Sequence, residues 1–389
     1  MTRTLPVPTE ERFTSRLRSP AVAARIGVWL AVAFTTCFVT GLISHYAQNV
    51  DHPVPFPTSP AWGYRVTQGL HVISGYAAVP LLLVKLWTVF PRLFQAVPLG
   101  DLRRLVLHGL ERVSIAVLVG AALFQLVSGI MNAAQWYPWS FSFRPSHYAM
   151  AWVAIGALLV HVAVKLPVIR DALLGDVEDT THDRPSATRE GALSRRGLLR
   201  TTWAAAGVAV LATAGGSVAW LRQVSVLAVR TGDGPQGIPI NRSAEAAGVT
   251  TAAVAPGAYA LELVNGATSL TLDRADLEAM TQHTEELPIA CVEGWSATAT
   301  WTGVRVSELM ALVDATGGPD VVVTSLQRFG AFSTTMMQGG FVEDDRTLLA
   351  LRLNGEELSL DHGFPCRVIA PNRPGVLQTK WVTRLEVST

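Results

Sequence analysis

Apolar residues gather in four long stretches, roughly 26–43, 66–90, 113–131 and 148–168, followed by a fifth, richer in Ala and Gly, at about 201–221. Each meets or approaches the ~20 residues an α-helix needs to cross ~30 Å of hydrocarbon. Between the fourth and fifth, DALLGDVEDTTHDRPSATREGAL (171–193) is polar and acidic without apolar periodicity, the composition of a linker. Beyond 222 the pattern changes to short runs such as YALELV (259–264), VVVTSL (321–326) and RVIAP (367–371), punctuated by Gly, Pro and Asn. That pattern predicts strands of a mixed domain. The chain therefore reads as multidomain. A tail (1–25) leads into an all-α four-helix transmembrane bundle (26–170), then a linker (171–200), a fifth transmembrane helix (201–221) and a β-rich α+β domain (222–389).

Composition agrees with a membrane half. The 389 residues are 49% hydrophobic and only 16% charged, against about a quarter charged in soluble domains. The net charge of +1 gives no argument for nucleic acid, and three cysteines are too few for a disulfide framework. Lys and Arg set the orientation. The tail carries Arg3, Arg12, Arg16, Arg18 and Arg25, and the second connection Arg92, Arg103, Arg104 and Arg112. The fourth carries Lys165, Arg170, Arg184, Arg189, Arg195, Arg196 and Arg200, whereas 44–64 has no Lys or Arg and 132–147 only Arg144. The N-terminus is thus expected in the cytoplasm of a multi-pass cell-membrane protein, with everything after 222 extracytoplasmic. Trp62, Tyr64, Trp136, Tyr137 and Trp139 supply an interfacial aromatic belt on the outer side.

Histidines carry the first candidate chemistry. His71 opens the second apolar helix, and His147 and His161 lie on the fourth. Fourteen helical residues leave His147 and His161 about 40° apart on one face and ~21 Å apart along it, a spacing that offers one ligand to each of two stacked hemes. The second helix repeats it with Lys85 fourteen residues after His71. Both helices run the same way, so His71 and His147 could face each other across one heme; a single heme between His71 and His161 is the alternative. His45, His52 and His108 read as interfacial polar residues, with His108 or His45 as spare ligands. Hydrogen bonding within the bundle is the plain reading, but ionisable groups inside a membrane are costly and mark function by default.

A four-helix bundle with histidines paired across its second and fourth helices resembles the membrane b-type cytochromes that serve quinone-linked oxidoreductases. In the last domain, PIACVEGWSATATWTGVRVSEL (288–309) and, about 60 residues later, LNGEELSLDHGFPCRVIAPNRPGVLQTKWVTRLEV (353–387) resemble two hallmarks of the sulfite oxidase superfamily. The resemblance implies that Cys291 gives a thiolate to molybdenum beside the dithiolene of molybdopterin. It further implies that Arg367, Arg373 and Lys380 meet the cofactor, or, for Arg367, the oxyanion of a small-molecule substrate. Asn241 and Arg242 in INRSA, and Gln327 and Arg328 in SLQRFG, match weaker cofactor-contacting segments. No tyrosine stands at the family's usual active-site position, where Phe329 and Phe332 are the nearest aromatics, and the sulfite pocket's arginines are thin.

The parts imply one circuit linking the membrane quinone pool, one or two b-type hemes and molybdenum. By resemblance to two-component periplasmic methionine-sulfoxide reductases it is expected to reduce an S-oxide or N-oxide. A sulfite dehydrogenase running the other way is the runner-up. The reading from another class is a non-catalytic membrane-anchored module with a Cys291–Cys366 disulfide. Ser194, Arg195, Arg196, Leu198 and Leu199 match the twin-arginine export pattern, which suits a domain that must cross the bilayer folded around its cofactor and implies a twin-arginine translocase as partner. Paired arginines before a helix also satisfy the positive-inside rule alone. Apolar character runs to Leu221, so an uncut anchor is expected.

Overall fold

The computed structural model describes residues 9–51, 54, 56–228 and 234–388; Arg3 and His52 lie outside the described residues. Five helices are long and apolar enough to cross a membrane: α1 (Pro20–Ala47), α2 (Gly63–Val89), α3 (Leu102–Ala133), α4 (Phe143–Leu174) and α5 (Arg195–Thr213). All but α5 are longer than their apolar runs. At 32 residues each, α3 and α4 reach about 48 Å, so their ends project beyond any hydrocarbon layer. Local capping explains several boundaries. Asp101 accepts from the N–H of Arg104 at 3.2 Å and opens α3 well before residue 113. α2 begins at Gly63, so His71 stands eight residues inside it rather than at its start.

The fifth helix differs from the expected 201–221 at both ends. Ser194 accepts from the N–H of Gly197 at 3.0 Å, which starts the helix at the paired arginines. It stops at Thr213, followed by 3-10 turns at Ala214–Gly216 and Ala219–Leu221. A Cβ at Gly215 would lie 2.5 Å from that of Ser225, so the chain there passes too close for a side chain.

The acidic linker is ordered. Val177 packs with Ala21, Val22, Ile26 and Leu81. Arg195 is only 3% exposed: it is ion-paired with Asp183 and donates to the carbonyls of Arg16 (3.1 Å), Val177 (3.2 Å) and Asp179 (2.5 Å). Arg196 reaches Asp176 at 2.6 Å. The acidic run thus works as a counter-charge for the arginine pair, a pairing invisible to apolar periodicity.

By contact the chain divides into two units, residues 1–39 with 71–213, and residues 40–70 with 214–389. In the second unit, one sheet has the order β2-β1-β10-β5-β6 and the other β3-β4-β7-β8, with β9 also on β7. The strands are β1 (Leu261–Asn265), β2 (Thr268–Leu272), β3 (His283–Ala290), β4 (Ser296–Arg305), β5 (Val321–Ser325), β6 (Thr334–Met337), β7 (Leu348–Leu353), β8 (Glu356–Glu357), β9 (Arg367–Ile369) and β10 (Val382–Val387). Only β1 and β10 pair in parallel among the described strands. One core gathers Leu261, Val304, Leu309, Val323 and Leu385; a second packs Ile289, Trp295, Trp301 and Leu348 behind the β3–β4 hairpin.

The α1–α2 connection belongs to this unit. The carbonyl of Val50 accepts from the N–H of Met336 at 2.8 Å, Arg346 donates to the carbonyl of Thr58 at 3.1 Å, and Phe56 packs on the first core. At the helix ends, Ser44, Gln48, Tyr64 and Gln68 form a buried hydrogen-bonded group at 2.5–2.8 Å.

Candidate functional site

Cys291 sits at the tip of the β3–β4 hairpin. Strand pairing runs to Ala290–Ser296, Cys291 donates its N–H to the carbonyl of Trp295 at 2.9 Å, and its own carbonyl accepts from Gly294 at 3.1 Å. Gly294 takes φ +78° to close this turn. Ser217 donates to the carbonyl of Gly294, and Arg222 donates to that of Ser296 at 3.3 Å. All three cysteines are free thiols. The Cys291–Cys366 bridge is therefore corrected: Cys366 lies in the first core, 2.9 Å from the hydroxyl of Tyr259, while Cys291 belongs to the second.

Cations converge beside this turn. Lys380 pairs across an isolated bridge with Arg367 and donates to the carbonyls of Arg242 (2.5 Å) and Asp361 (2.8 Å). Burial and the Arg367 charge push its pKa down to about 7, opposed by Asp361, Cys291 and Glu293 close by. Arg367 donates to the carbonyls of His362 and Gln378, both at 3.1 Å, with its guanidinium 5.0 Å from the Trp301 ring centroid. Burial pushes Arg367 and Arg373 to about 9 each. His362, pushed to about 4 by burial and Arg367, donates from Nε2 to the carbonyl of Pro235 at 2.7 Å, so it braces the turn before Arg367.

The sequence-derived residues do not all meet at one point. Gln327 and Arg242 meet over Gly330, whose added Cβ would lie 3.1 Å from each. Arg328 donates its N–H to the carbonyl of Ala247 at 2.9 Å, tying its loop to the segment that follows Asn241 and Arg242. Arg373 is instead anchored on the carbonyl of Met336 at 2.8 Å. Among the described residues Nε of Arg367, Nε of Arg242, and both Nε and Nη1 of Arg373 are buried without a hydrogen-bond partner. Each such donor costs about 1–3 kcal/mol if left unmet, and native folds seldom tolerate several together. Their common chemistry is the capture of an anion.

Sequence reasoning passed over the residues that hold this loop. Gln378 accepts from the N–H of Ala370 at 2.8 Å and donates to the carbonyls of Ala370 and Arg373. Asn372, at φ +60°, accepts from the N–H of Tyr64 and donates to the carbonyl of Pro57 at 2.6 Å. The one available signal was Asn beside Arg373 in a Pro-rich run. Gly375 closes the arrangement: an added Cβ would sit 2.6 Å from the carbonyl oxygen of Ala290, the residue before Cys291. Backbone cannot yield cheaply, so Gly375→Ala is expected to cost about 1–3 kcal/mol and to lower bound molybdenum per polypeptide by elemental analysis.

In the first unit, His71 and His147 face each other with ring centroids 6.3 Å apart. His71 donates from Nδ1 to the carbonyl of Cys37 at 3.0 Å. Nδ1 of His147 lies 3.0 Å from the Ser128 hydroxyl, which itself donates to the carbonyl of Gln125. With the proton on Nδ1, each ring carries its metal-binding lone pair on Nε2. Cβ of an alanine at Gly129 would be 3.7 Å from His147, and one at Gly75 would meet no other segment within 4 Å among the described residues. His161 lies instead near Lys85, Lys165 and Glu111; Lys165 pairs with Glu111, and Lys85 donates to the carbonyl of Ala23 at 2.7 Å.

Residues 248–389 match the family model described as oxidoreductase molybdopterin binding domain. Among similar proteins, the mitochondrial sulfite oxidase of Drosophila melanogaster is 32% identical over 161 residues, covering 34% of this chain and 28% of that protein. The NADPH nitrate reductase of Neurospora crassa is 32% identical over 103 residues, 24% of this chain and 10% of that protein. The chain thus spans less than a third of these relatives' own length. Among solved structures, the sulfane dehydrogenase SoxCD from Paracoccus pantotrophus is 23% identical with a TM-score of 0.31, covering 34% of this chain and 39% of that one. Residues 248–389 are thus a molybdopterin-binding domain of a molybdenum oxidoreductase, similar in sequence to sulfite oxidases and nitrate reductases.

Proposed function

We propose that this protein is a membrane-bound molybdopterin-dependent oxidoreductase that passes electrons from membrane quinol through a b-type heme to an extracytoplasmic molybdenum centre, where a small S-oxide or N-oxide is reduced. The observation that carries the reading is a buried thiol at a hairpin tip whose charge reaches Lys380, itself bridged to Arg367, an arginine with an unmet buried Nε–H among the described residues. Those residues fit the absent group: a thiolate for a soft metal and guanidinium donors for the pterin and phosphate of its organic part. When bound, molybdopterin supplies oxygen-atom transfer at molybdenum.

The chain's own residues would then divide the work. Cys291 holds the metal. Arg242, Arg373 and Lys380 neutralise the cofactor, with Asn241, Gln327 and Arg328 completing its cradle. Arg367, pinned by two carbonyls and stacked on Trp301, would offer its buried, unpartnered Nε–H to an oxygen of substrate; a guanidinium fixed beforehand needs no reorganisation when charge develops. His71 and His147 hold the heme, and the hydrogen bonds at their Nδ1 atoms orient both rings. His161 has Lys85, Lys165 and Glu111 as charged neighbours, whereas His71 and His147 have each other, so one heme is the proposal.

Export by the twin-arginine translocase requires the motif to be read before the linker encloses Arg195. The sulfite-oxidising alternative draws on the similarity to the sulfite oxidase of Drosophila melanogaster. Purified protein in vesicles with menaquinol separates the directions. Heme reduced by menaquinol and reoxidised on adding a sulfoxide is expected; reduction of the heme by sulfite alone, with no reoxidation by any S- or N-oxide, would reverse the direction.

A further inference from the structure

A cavity of about 430 Å³ in the first unit is walled by the segment before α1, the end of α2 and the segment before α5, and contributes Arg12, Arg18, Arg189, Phe13 and Trp87. Its volume lies in the range of small-ligand sites, about 300–1,000 Å³. Two backbone hydrogen bonds hold its walls together: Arg189 donates to the carbonyl of Thr14 at 2.8 Å, and Arg16 to that of Arg189 at 3.0 Å. The Arg18 guanidinium is clamped between the rings of Phe13 (4.9 Å) and Trp87 (4.5 Å).

Charge inside the cavity is unbalanced. The lining carboxylate, Glu190, is taken by Arg16 at 2.5 Å. Among the described residues none of Arg12, Arg18 and Arg189 is in an ion pair. Arg184, whose charge also reaches Arg18, is paired with Glu10 at 3.7 Å, so the unpaired charge is that of Arg12, Arg18 and Arg189. Nη1 of Arg18 is buried without a partner among the described residues, a cost the fold bears unless an acceptor arrives.

We propose that this cavity is a binding site for a phosphate-bearing group, with the half-buried Arg18 as its anchor and the exposed Arg12 and Arg189 at its mouth. Guanidinium forks match phosphate oxygens two at a time. The site opens on the side of the helices that carries most of the lysines and arginines, where anionic lipid head groups collect; a soluble phosphate would use the same donors. The proposal is independent of the redox reading.

The test uses the full-length protein in neutral detergent, probed by native mass spectrometry and thermal unfolding with phosphatidylglycerol, phosphatidylcholine or inorganic phosphate. Wild type is expected to retain phosphatidylglycerol, and to unfold at higher temperature with it than with phosphatidylcholine. Stabilisation by inorganic phosphate alone would assign the site to a soluble ligand instead of a lipid, the site itself standing. Arg18→Gln and Arg189→Gln are each expected to weaken retention about tenfold, the loss of a charge-assisted hydrogen bond. Arg103→Gln, at an exposed arginine outside the cavity, should leave it unchanged. Arg189 is exposed, so its variant stays informative even if Arg18→Gln misfolds. Equal retention by wild type and Arg189→Gln, or no preference of wild type for either phosphate-bearing probe, overturns the proposal.

Discussion

Cys291→Ser is expected to abolish oxygen transfer while leaving the membrane half intact. Even a residue that only orients a metal ligand costs about 10–100-fold when removed, so loss of the thiolate itself should exceed about 100-fold. The fold should survive, because the turn is held by backbone bonds to Trp295 and Gly294 that serine preserves. Sulfoxide-dependent reoxidation of quinol-reduced heme is the readout. The account requires that reoxidation disappear while reduction by menaquinol keeps its wild-type rate; reoxidation within tenfold of wild type would remove Cys291 from the site.

His147→Ala, and separately His71→Ala, should each eliminate the low-spin heme spectrum. The two rings face each other at 6.3 Å, so either loss leaves an iron with one protein ligand. Ser128→Ala removes the partner of Nδ1 on His147 without touching a proposed ligand. It should weaken heme retention about 10–100-fold and broaden its spectrum rather than erase it. His161→Ala is expected to keep a full heme complement. Optical spectra of purified variants decide the assignment, and an unchanged spectrum in His147→Ala contradicts it.

Much of this organisation is readable in one dimension. Apolar runs of membrane length mark five helices, because only a helix or closed barrel satisfies its backbone in lipid. The spacing on helices running the same way offers His71 either His147 or His161 as a partner; the ring contact at 6.3 Å is with His147. The Cys291 turn and the Arg367–Lys380 run are legible as short motifs, since each is one hairpin or one loop. What escaped is carried by contacts between distant segments. Tyr64 and Asn372 meet across 308 residues, and no periodicity reports that. Arg195 reads as an exposed export signal, yet Asp183 and three carbonyls enclose it. The end of α5 at Thr213 escaped because Ala and Gly continue the apolar run while Gly215 marks where the backbone must turn.

Counting metal and heme on the purified full-length protein tests the central claim most directly. Elemental analysis and pyridine-hemochrome absorbance of one sample should give about one molybdenum and one heme per polypeptide, with molybdenum lost and heme retained in Cys291→Ala. Wild-type protein without molybdenum, or with molybdenum unchanged in Cys291→Ala, would contradict the account of the molybdopterin-binding domain; wild-type protein without heme would contradict the account of the His71–His147 pair.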